Sequence, residues 1–317
     1  MQDVELQYLC CPLCHGQLLL DENLVKCQRC GQSYPVMTNM VDFYAGGDED
    51  RVRDANIAYY DQIAEDYESS IAAKEIFNPF SQQRIEEVMA YLSSDGRNEL
   101  LIDIGCGAGN IMTVAQSYFG RVIGFDISVQ ILRLAQEKGL LAHRADIIKL
   151  PVCSETVDAI SAFSVLHHLE QPDLIFQEAY RVLRTGGYFY ADNDPNLWPK
   201  RAIRNNRLYR LLRNVYHCIF EKKEEKLKSV DREIRELAEY HHFHSDGFQP
   251  EEVKKTLEGI GFREVQVIPH GNTRSLKNNN FFTCSWNLQL YMLFQILISM
   301  NMNYQRIAPM MLIIARK

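Results

Sequence analysis

The eleven residues from Glu99 to Gly109, ELLIDIGCGAG, constrain the chain more than any other stretch. An apolar run of strand length ends in Asp103 and passes into Gly105, Gly107 and Gly109, three glycines spaced two apart. The order predicts a strand, a tight turn and the start of a helix. Glycine takes backbone angles closed to other residues and lets a ligand lie against the main chain, while Asp103 sets a carboxylate at the strand's end. This geometry suits a nucleotide-like cofactor that carries a positive group. A dinucleotide fingerprint requires its third glycine three residues after the second, and Asn110 stands there, which argues against NAD.

The rest of the chain gives this turn a setting. At 317 residues with 46% hydrophobic and 24% charged residues, it has room for one large core plus a smaller unit. A formal net charge of −7 argues against a protein that coats nucleic acid, although it leaves room for a local basic patch. The first residues, MQDVELQYL, lack the basic start and apolar centre of a secretory signal, and no run of about 18 apolar residues is present to span a membrane. A cytoplasmic location is therefore expected. It fits the cysteines: four fall in two pairs, while Cys106, Cys153, Cys218 and Cys284 are scattered as reduced thiols usually are.

Residues 1–43 hold those pairs, Cys11-Pro12-Leu13-Cys14 and Cys27-Gln28-Arg29-Cys30. Each CxxC turn directs two thiolates at one point, and two such turns close a tetrahedral zinc site. Zinc supplies the stability that a core of about forty residues cannot. Cys10 and His15 sit beside the first pair and remain alternative ligands, but the paired spacing favours Cys11, Cys14, Cys27 and Cys30. Four protein ligands leave no open position, so the expected role is structural. The segments CPLCHGQLLL and LVKCQRCGQSYPVMTNMVDF resemble the short zinc-ribbon-like family of methyltransferase activator subunits and N-terminal methyltransferase extensions, over about residues 6–43. They depart from it at Met37, Thr38, Asn39 and Met40, where that family continues with Gly-Ile-Pro.

Residues 44–50 shift to glycine and acid and are expected to be a linker to a larger unit, 51–317. That unit opens with helix. Ile57, Tyr60, Ile63, Ala64 and Tyr67 recur at helical spacing, as do Ile85, Val88, Met89 and Leu92. Two readings of the tyrosines stay open: core packing, or a lid over the cofactor cleft. From Leu100 onward strand and helix alternate as in a doubly wound α/β sheet. A helix over about 110–118 leads to RVIGFDIS, where Asp126 ends a second strand 23 residues after Asp103. A carboxylate there can accept both hydroxyls of a ribose. Ser128 caps a helix running to Gly139, LLAHRADI is a third strand ending in Asp146, and VDAISAFSVLHHL holds a fourth. Pro172 starts a helix expected to stop at Gly186 and Gly187, before GYFYADND, the fifth strand. Acids at the carboxyl ends of three strands converge, because such sheets bind ligands in the crevice outside those ends.

In this order, DIGCGAG, GFDIS, RADIIKLP, VDAISAFSVLHHL and EAYRVLRTGGYF resemble the successive motifs of the class I S-adenosylmethionine-dependent methyltransferases, over roughly residues 52–192 and the end of the chain. The resemblance implies a seven-stranded Rossmann-like sheet closed by an antiparallel pair, for which FREVQVIP and PMMLIIARK supply the strands. It further implies that Asp103, Gly105, Gly107 and Gly109 hold the methionine part of S-adenosyl-L-methionine. Asp126 would hold the ribose hydroxyls and Ile127 one adenine face, with Asp146 and Ile147 at the adenine edge and Phe163 on the sulfonium side. Methyl transfer starts from a sulfonium whose charge disappears as the bond breaks, so alignment of nucleophile, methyl and sulfur is the main demand on the protein.

Two insertions, 195–245 and 270–308, exceed the minimal plan of that family. The first carries Arg201, Arg204, Arg207, Arg210 and Arg213, which on a helix drift by about 60° per step into a broad basic surface. A solvated face, an anionic or phosphorylated-lipid substrate, and RNA are the competing readings. The second holds FFTCSWNLQLYMLFQILISM, expected to cover the active site or to line an apolar acceptor pocket. His167 and His168 follow the fourth strand, from where a histidine can take a proton from an acceptor. His241, His242 and His244 suggest a metal, but lacking matching carboxylate spacing they read better as pocket or surface residues. The Asn/Asp-Pro-Pro-aromatic motif of many amino-group and adenine methyltransferases is absent where Ser161 to Val165 stand. The His-His-Leu sequence is similar to that of quinone and other small-molecule methyltransferases. A small-molecule or lipid-like acceptor methylated on oxygen or carbon is therefore expected. An RNA methyltransferase is the alternative, since bacterial ribosomal-RNA guanine methyltransferases also join a zinc finger to this fold, and a non-catalytic scaffold comes third.

Overall fold

A computed structural model describes residues 6–37, 39–44, 46, 49–68, 79–197, 231–245, 247–270, 308 and 310–317. The Arg201 to Arg213 series and the aromatic stretch from Phe281 to Met300 lie outside the described residues.

The two cysteine pairs sit on an antiparallel sheet of four short strands in chain order, β1 (Leu18–Asp21), β2 (Leu24–Cys27), β3 (Ser33–Met37) and β4 (Met40–Val41). One face of it turns Leu18, Val25, Tyr34 and Val41 inward, and Phe43 follows on the same side. So small a unit buries too little apolar surface to hold itself together. These side chains instead join the apolar cluster that contains Ile102, Ile123 and Phe125 of the large sheet. Main-chain hydrogen bonds fasten the same junction. Cys10 N–H donates to the Pro151 carbonyl at 3.0 Å and Phe43 N–H to the Arg144 carbonyl at 2.8 Å. Val41 N–H donates to His143 Nδ1 at 3.2 Å, inside the core.

The larger unit begins with α1 (Arg51–Ile63), whose N-terminus is capped by the Asp50 carboxylate accepting from Val52 and Arg53 N–H. α2 (Pro79–Leu92) buries Ile85, Val88, Met89 and Leu92, the apolar set expected from its spacing. The alternating region then runs β5 (Leu100–Ile104), α3 (Asn110–Ala115), β6 (Arg121–Asp126), α4 (Val129–Glu137), β7 (Ala142–Arg144), β8 (Val157–Phe163), α5 (Asp173–Val182) and β9 (Leu183–Pro195). After two short helices, α6 (Arg232–Ala238) and α7 (Tyr240–Phe243), come α8 (Pro250–Ile260), β10 (Arg263–His270) and β11 (Met310–Arg316).

The seven strands of the large sheet stand in the order β10-β11-β9-β8-β5-β6-β7. β5 to β9 are mutually parallel, and β11 lies antiparallel between β9 and β10. β5 and β8 are buried at every position, as strands covered on both faces must be. Chain order reverses between β5 and β8, so the crevice of this sheet opens beyond their carboxyl ends. This is the Rossmann-like methyltransferase architecture with a small N-terminal unit. Among the described residues no helix is long and apolar enough to cross a membrane.

Three boundaries differ from expectation. α3 stops at Ala115 rather than near 118, and β7 stops at Arg144, leaving Asp146 in the following turn. There its carboxylate accepts from Ile148 N–H at 3.2 Å, a local bond that competes with strand pairing. α5 ends at Val182 instead of at the glycine pair, which lies within β9. Gly186 has φ +82, and a Cβ there would meet the Arg97 guanidinium, so the glycine serves a close approach and not a helix stop.

Phe43 is 3% exposed, with its ring 5.2 Å from that of Tyr34 and 6.0 Å from that of His143. Phe43→Ala opens a cavity where the two units share one core. It is expected to lower the unfolding free energy in urea titration by about 3–5 kcal/mol, with loss of a single cooperative transition if the N-terminal unit detaches first.

Candidate cofactor and acceptor site

The glycine turn leaves β5 with φ +62 at Gly105, +53 at Gly107 and +77 at Gly109. Side chains at two of these positions are excluded by packing as well. A Cβ on Gly105 would fall 2.5 Å from Val165 Cγ2, and one on Gly109 2.2 Å from Leu140 Cδ1. At Gly107 the nearest atom is the Tyr67 hydroxyl at 3.5 Å. That turn therefore keeps an open cradle, roofed by a tyrosine that follows α1.

Asp126, at the end of β6, closes the cradle from the side. Its Oδ2 accepts from Gly107 N–H at 2.9 Å and its Oδ1 from Ser128 N–H at 3.0 Å. Burial raises its pKa, against the opposing pull of the Ser128 and Gly107 N–H groups. Ser128 in turn caps α4, accepting from Ile131 N–H, and donates to Asp61 Oδ1 of α1 at 2.6 Å. Asp103 is 1% exposed. Its Oδ1 accepts from Ser161 Oγ at 2.5 Å, while Oδ2 has no hydrogen-bond partner among the described residues. Burial pushes this carboxyl up to about 7. An orphaned buried carboxylate oxygen beside a glycine cradle fits a ligand that brings its own donor or positive charge.

Asp146, Ile127 and Ile147 lie along the next edge. Arg53 of α1 donates to Asp146 Oδ2 at 3.3 Å, and Arg144 Nε donates to the Ile127 carbonyl at 2.9 Å. The N-terminal unit reaches this edge: Arg144 Nη1 donates to Asp42 Oδ2 at 3.1 Å, and its guanidinium lies 4.7 Å from the Tyr44 ring centroid. Phe163 closes β8 and is 7% exposed, in the same apolar cluster as Cys106 and Met112.

Beyond β8 the chain takes a one-turn 3-10 helix, Leu166–His168, after Ser164 at φ +60. Backbone strain of this kind is held only where the surroundings fix it, here by Ser164 N–H donating to the Asp192 carbonyl at 2.8 Å. The two predicted histidines separate in environment. His168 donates from Nδ1 to the Ala238 carbonyl at 2.7 Å, because a carbonyl only accepts. Its Nε2 then accepts from the Tyr60 hydroxyl at 2.9 Å, so both ring nitrogens are engaged. His167 is 3% exposed, with Nδ1 2.8 Å from Asp194 Oδ1. Burial holds its imidazole well below the ordinary value and pushes the Asp194 carboxyl well above its own. Glu239 and His242 approach its other nitrogen. Sequence reasoning singled out neither Asp194 nor Glu239 for this site. The strand-end position of Asp194 was the available signal, whereas nothing local marks Glu239.

Of the three neighbouring histidines, His242 alone enters this group. His241 pairs with the Ser245 hydroxyl at 2.5 Å, and His244 stacks on the Tyr240 ring at 4.6 Å between centroids.

In the N-terminal unit, Cys11, Cys14, Cys27 and Cys30 place their four sulfurs within 4.8 Å of one another. Cys11 and Cys30 are 3.6 Å apart and Cys14 and Cys27 3.4 Å, too far for disulfides and near the edge of about 3.8 Å that a tetrahedron with metal–sulfur bonds of about 2.3 Å requires. Arg29 and Cys30 N–H groups donate to Cys27 Sγ at 3.4 and 3.5 Å. This donor set fits a metal ion.

Residues 102–191 match the family model described as a methyltransferase domain. The chain is 32% identical over 132 residues to the tRNA (carboxymethyluridine(34)-5-O)-methyltransferase of Arabidopsis thaliana, a match covering 41% of this chain and 30% of that protein. It is 28% identical over 137 residues to the malonyl-[acyl-carrier protein] O-methyltransferase of Hahella chejuensis, covering 40% of this chain and 47% of that one. The matches to such curated relatives span from about a fifth to three fifths of their length. Among solved structures, phosphoethanolamine N-methyltransferase 2 of Haemonchus contortus, in complex with S-adenosyl-L-methionine, aligns with a TM-score of 0.52 at 15% identity. That alignment covers 85% of this chain and 60% of that one, a likeness of fold. The chain carries a class I S-adenosylmethionine-dependent methyltransferase domain.

The environment of Asp103 gives a pH test. Its folded pKa of about 7 exceeds an unfolded value of about 3.9. The folded state therefore binds the extra proton, and the associated stability is present below about pH 4 and is lost as pH rises to about 7. Asp103→Asn removes the titration and keeps an acceptor for Ser161. The ligand-free variant is expected to gain on the native chain in urea titrations between pH 4 and pH 8. A gap that does not change with pH would contradict the assignment.

Proposed function

We propose that the chain transfers the methyl group of S-adenosyl-L-methionine to an oxygen or carbon nucleophile of a small-molecule or lipid-like acceptor. The observation that carries the reading is the cradle at the reversal of strand order, with Gly107 open beneath Tyr67, Asp103 with an orphaned oxygen, and Asp126 fixed across the turn. S-adenosyl-L-methionine supplies the sulfonium methyl. In this assignment Asp103 and the turn of Gly105, Gly107 and Gly109 hold its methionine end. Asp126 accepts from the ribose hydroxyls. Ile127 lies on one adenine face, Asp146 and Ile147 meet the adenine edge, and Phe163 lines the sulfonium side. A positive ligand group beside Asp103 favours its charged form, which lowers its pKa and releases a proton.

His167 and His168 border the acceptor side. The hydroxyl of Tyr60 occupies the basic nitrogen of His168, so His168 acts as a positioning residue between α1 and α6. His167, held from behind by Asp194, keeps its Nε2 toward Glu239 and His242 and is the better candidate to meet the acceptor. Oxygen acceptors draw support from the names of the two relatives above, both O-methyltransferases. Cys11, Cys14, Cys27 and Cys30 are assigned to a structural zinc ion in residues 1–43, and substrate choice to the insertions at 195–245 and 270–308 of the unit 51–317.

An RNA acceptor is the second reading. It is favoured by the tRNA methyltransferase among the relatives and by Arg201, Arg204, Arg207, Arg210 and Arg213, which would meet phosphates. RNA affinity that falls steeply with salt and collapses when these arginines are replaced would favour it over the first.

A cell extract incubated with the protein and isotopically labelled S-adenosyl-L-methionine tests the proposal. Mass spectrometry is expected to find the label in a small or lipid-soluble compound, on oxygen or carbon. Label found only in RNA would transfer the conclusion to the second reading, and no transfer to any compound would reject both.

A further inference from the structure

At the carboxyl end of the sheet, beyond β8, side chains from two separate parts of the chain bring three potential ligand atoms together. His167 comes from the turn after β8, and Glu239 and His242 from the junction of α6 and α7. His167 Nε2 lies 3.6 Å and His242 Nε2 3.7 Å from the same oxygen, Glu239 Oε2, beyond hydrogen-bond reach in both cases. All three ligand atoms fall within 4.8 Å of one another. A zinc-like ion with bonds of about 2.1 Å sets its tetrahedral ligands about 3.4 Å apart, so both histidine–carboxylate separations lie within a few tenths of an ångström of that edge, and the two imidazoles, within 4.8 Å of each other, would draw together on such an ion.

The surroundings support the same arrangement. With Nδ1 of His167 committed to Asp194 at 2.8 Å, the Nε2 lone pair is left to face Glu239 and His242. A carboxylate behind a ligating imidazole fixes its tautomer and raises its basicity, the usual outer partner of a metal-bound histidine. Asp194 is 0% exposed, and its Oδ2 has no hydrogen-bond partner among the described residues. A cation bound at His167 would give that buried oxygen a positive charge to face. Exposure is also graded across the set: the side chain of His167 is 4% exposed, that of Glu239 22% and that of His242 32%. One side is anchored in the core and the other is partly exposed.

We propose that His167, Glu239 and His242 bind a divalent transition-metal ion, with Asp194 as outer partner of His167 and at least one coordination position open on the side of Glu239 and His242. Two imidazoles and one carboxylate are the donor set of open, reactive sites for zinc or iron(II), in contrast to the closed four-thiolate set at Cys11, Cys14, Cys27 and Cys30. The site extends the proposed function without depending on it: the ion binds whether or not the acceptor has been assigned correctly. Use of the open position to hold and acidify an acceptor hydroxyl does rest on that reading, and His167 then meets the acceptor through the ion and not as a free base.

Metal content of the full chain tests the site. Protein purified with zinc and dialysed is expected to retain about two zinc ions per chain by elemental analysis, falling to about one in Glu239→Gln and in His242→Ala. Both replaced side chains are partly exposed, so two independent variants guard against a folding artefact, and circular dichroism checks each. After cobalt exchange, the difference spectrum of native chain minus His242→Ala is expected to show weak visible d–d bands without thiolate-to-cobalt charge transfer. Equal metal content in the native chain and both variants, or a difference spectrum dominated by thiolate bands, overturns the proposal. Labelled-methyl transfer is read separately on the same samples, so loss of the metal site and failure of the acceptor reading give different results.

Discussion

The contact between Gly107 N–H and Asp126 Oδ2, 2.9 Å long, ties together everything that makes the crevice. It spans β5, whose end becomes the glycine turn, and β6, whose end presents the acid. The other oxygen of Asp126 holds Ser128, which caps α4 and reaches Asp61 on α1. One carboxylate therefore sets the shape of the turn, the start of a helix and the seat of the helix above. Each bond contributes only about 1 kcal/mol in water, with more when the acceptor is charged, but together they hold the donors in place before a ligand arrives.

The same logic explains why the N-terminal unit is built onto the sheet instead of hanging from it. Its apolar face has no adequate partner of its own and shares the core of Ile102 and Phe125. Its exit strand then delivers Asp42 and Tyr44 to Arg144, and Arg144 holds the Ile127 carbonyl. Tyr44 also lies 5.5 Å from the Arg53 guanidinium, which in turn reaches Asp146. A continuous set of contacts thereby joins the N-terminal unit to one edge of the crevice.

Much of this was legible in the residues. Gly105, Gly107 and Gly109 follow from the backbone demands of a strand-to-helix turn, Asp126 from its place at the end of the second strand, and the cysteine pairs from their spacing, because all are local patterns. Boundaries failed where tertiary contacts decided them. Gly186 looked like a helix stop but serves the approach of Arg97, and Asp146 left the third strand for a bond to Ile148 N–H. The meeting of His167 with Asp194, Glu239 and His242 was hidden for a different reason. Those residues come from three segments up to 75 positions apart, and only the fold makes them neighbours. The tyrosines of α1 and the turn after it proved to be neither plain core nor plain lid: Tyr60 binds His168 while Tyr67 roofs the turn.

In the proposed assignment this crevice holds S-adenosyl-L-methionine through Asp126 and the glycine cradle. Isothermal titration of the full chain and of Asp126→Ala with S-adenosyl-L-methionine tests it most directly. One site per chain is expected, weakened at least about tenfold by the substitution, a loss of about 1.4 kcal/mol. No binding to the native chain, or equal affinity in the variant, would contradict it.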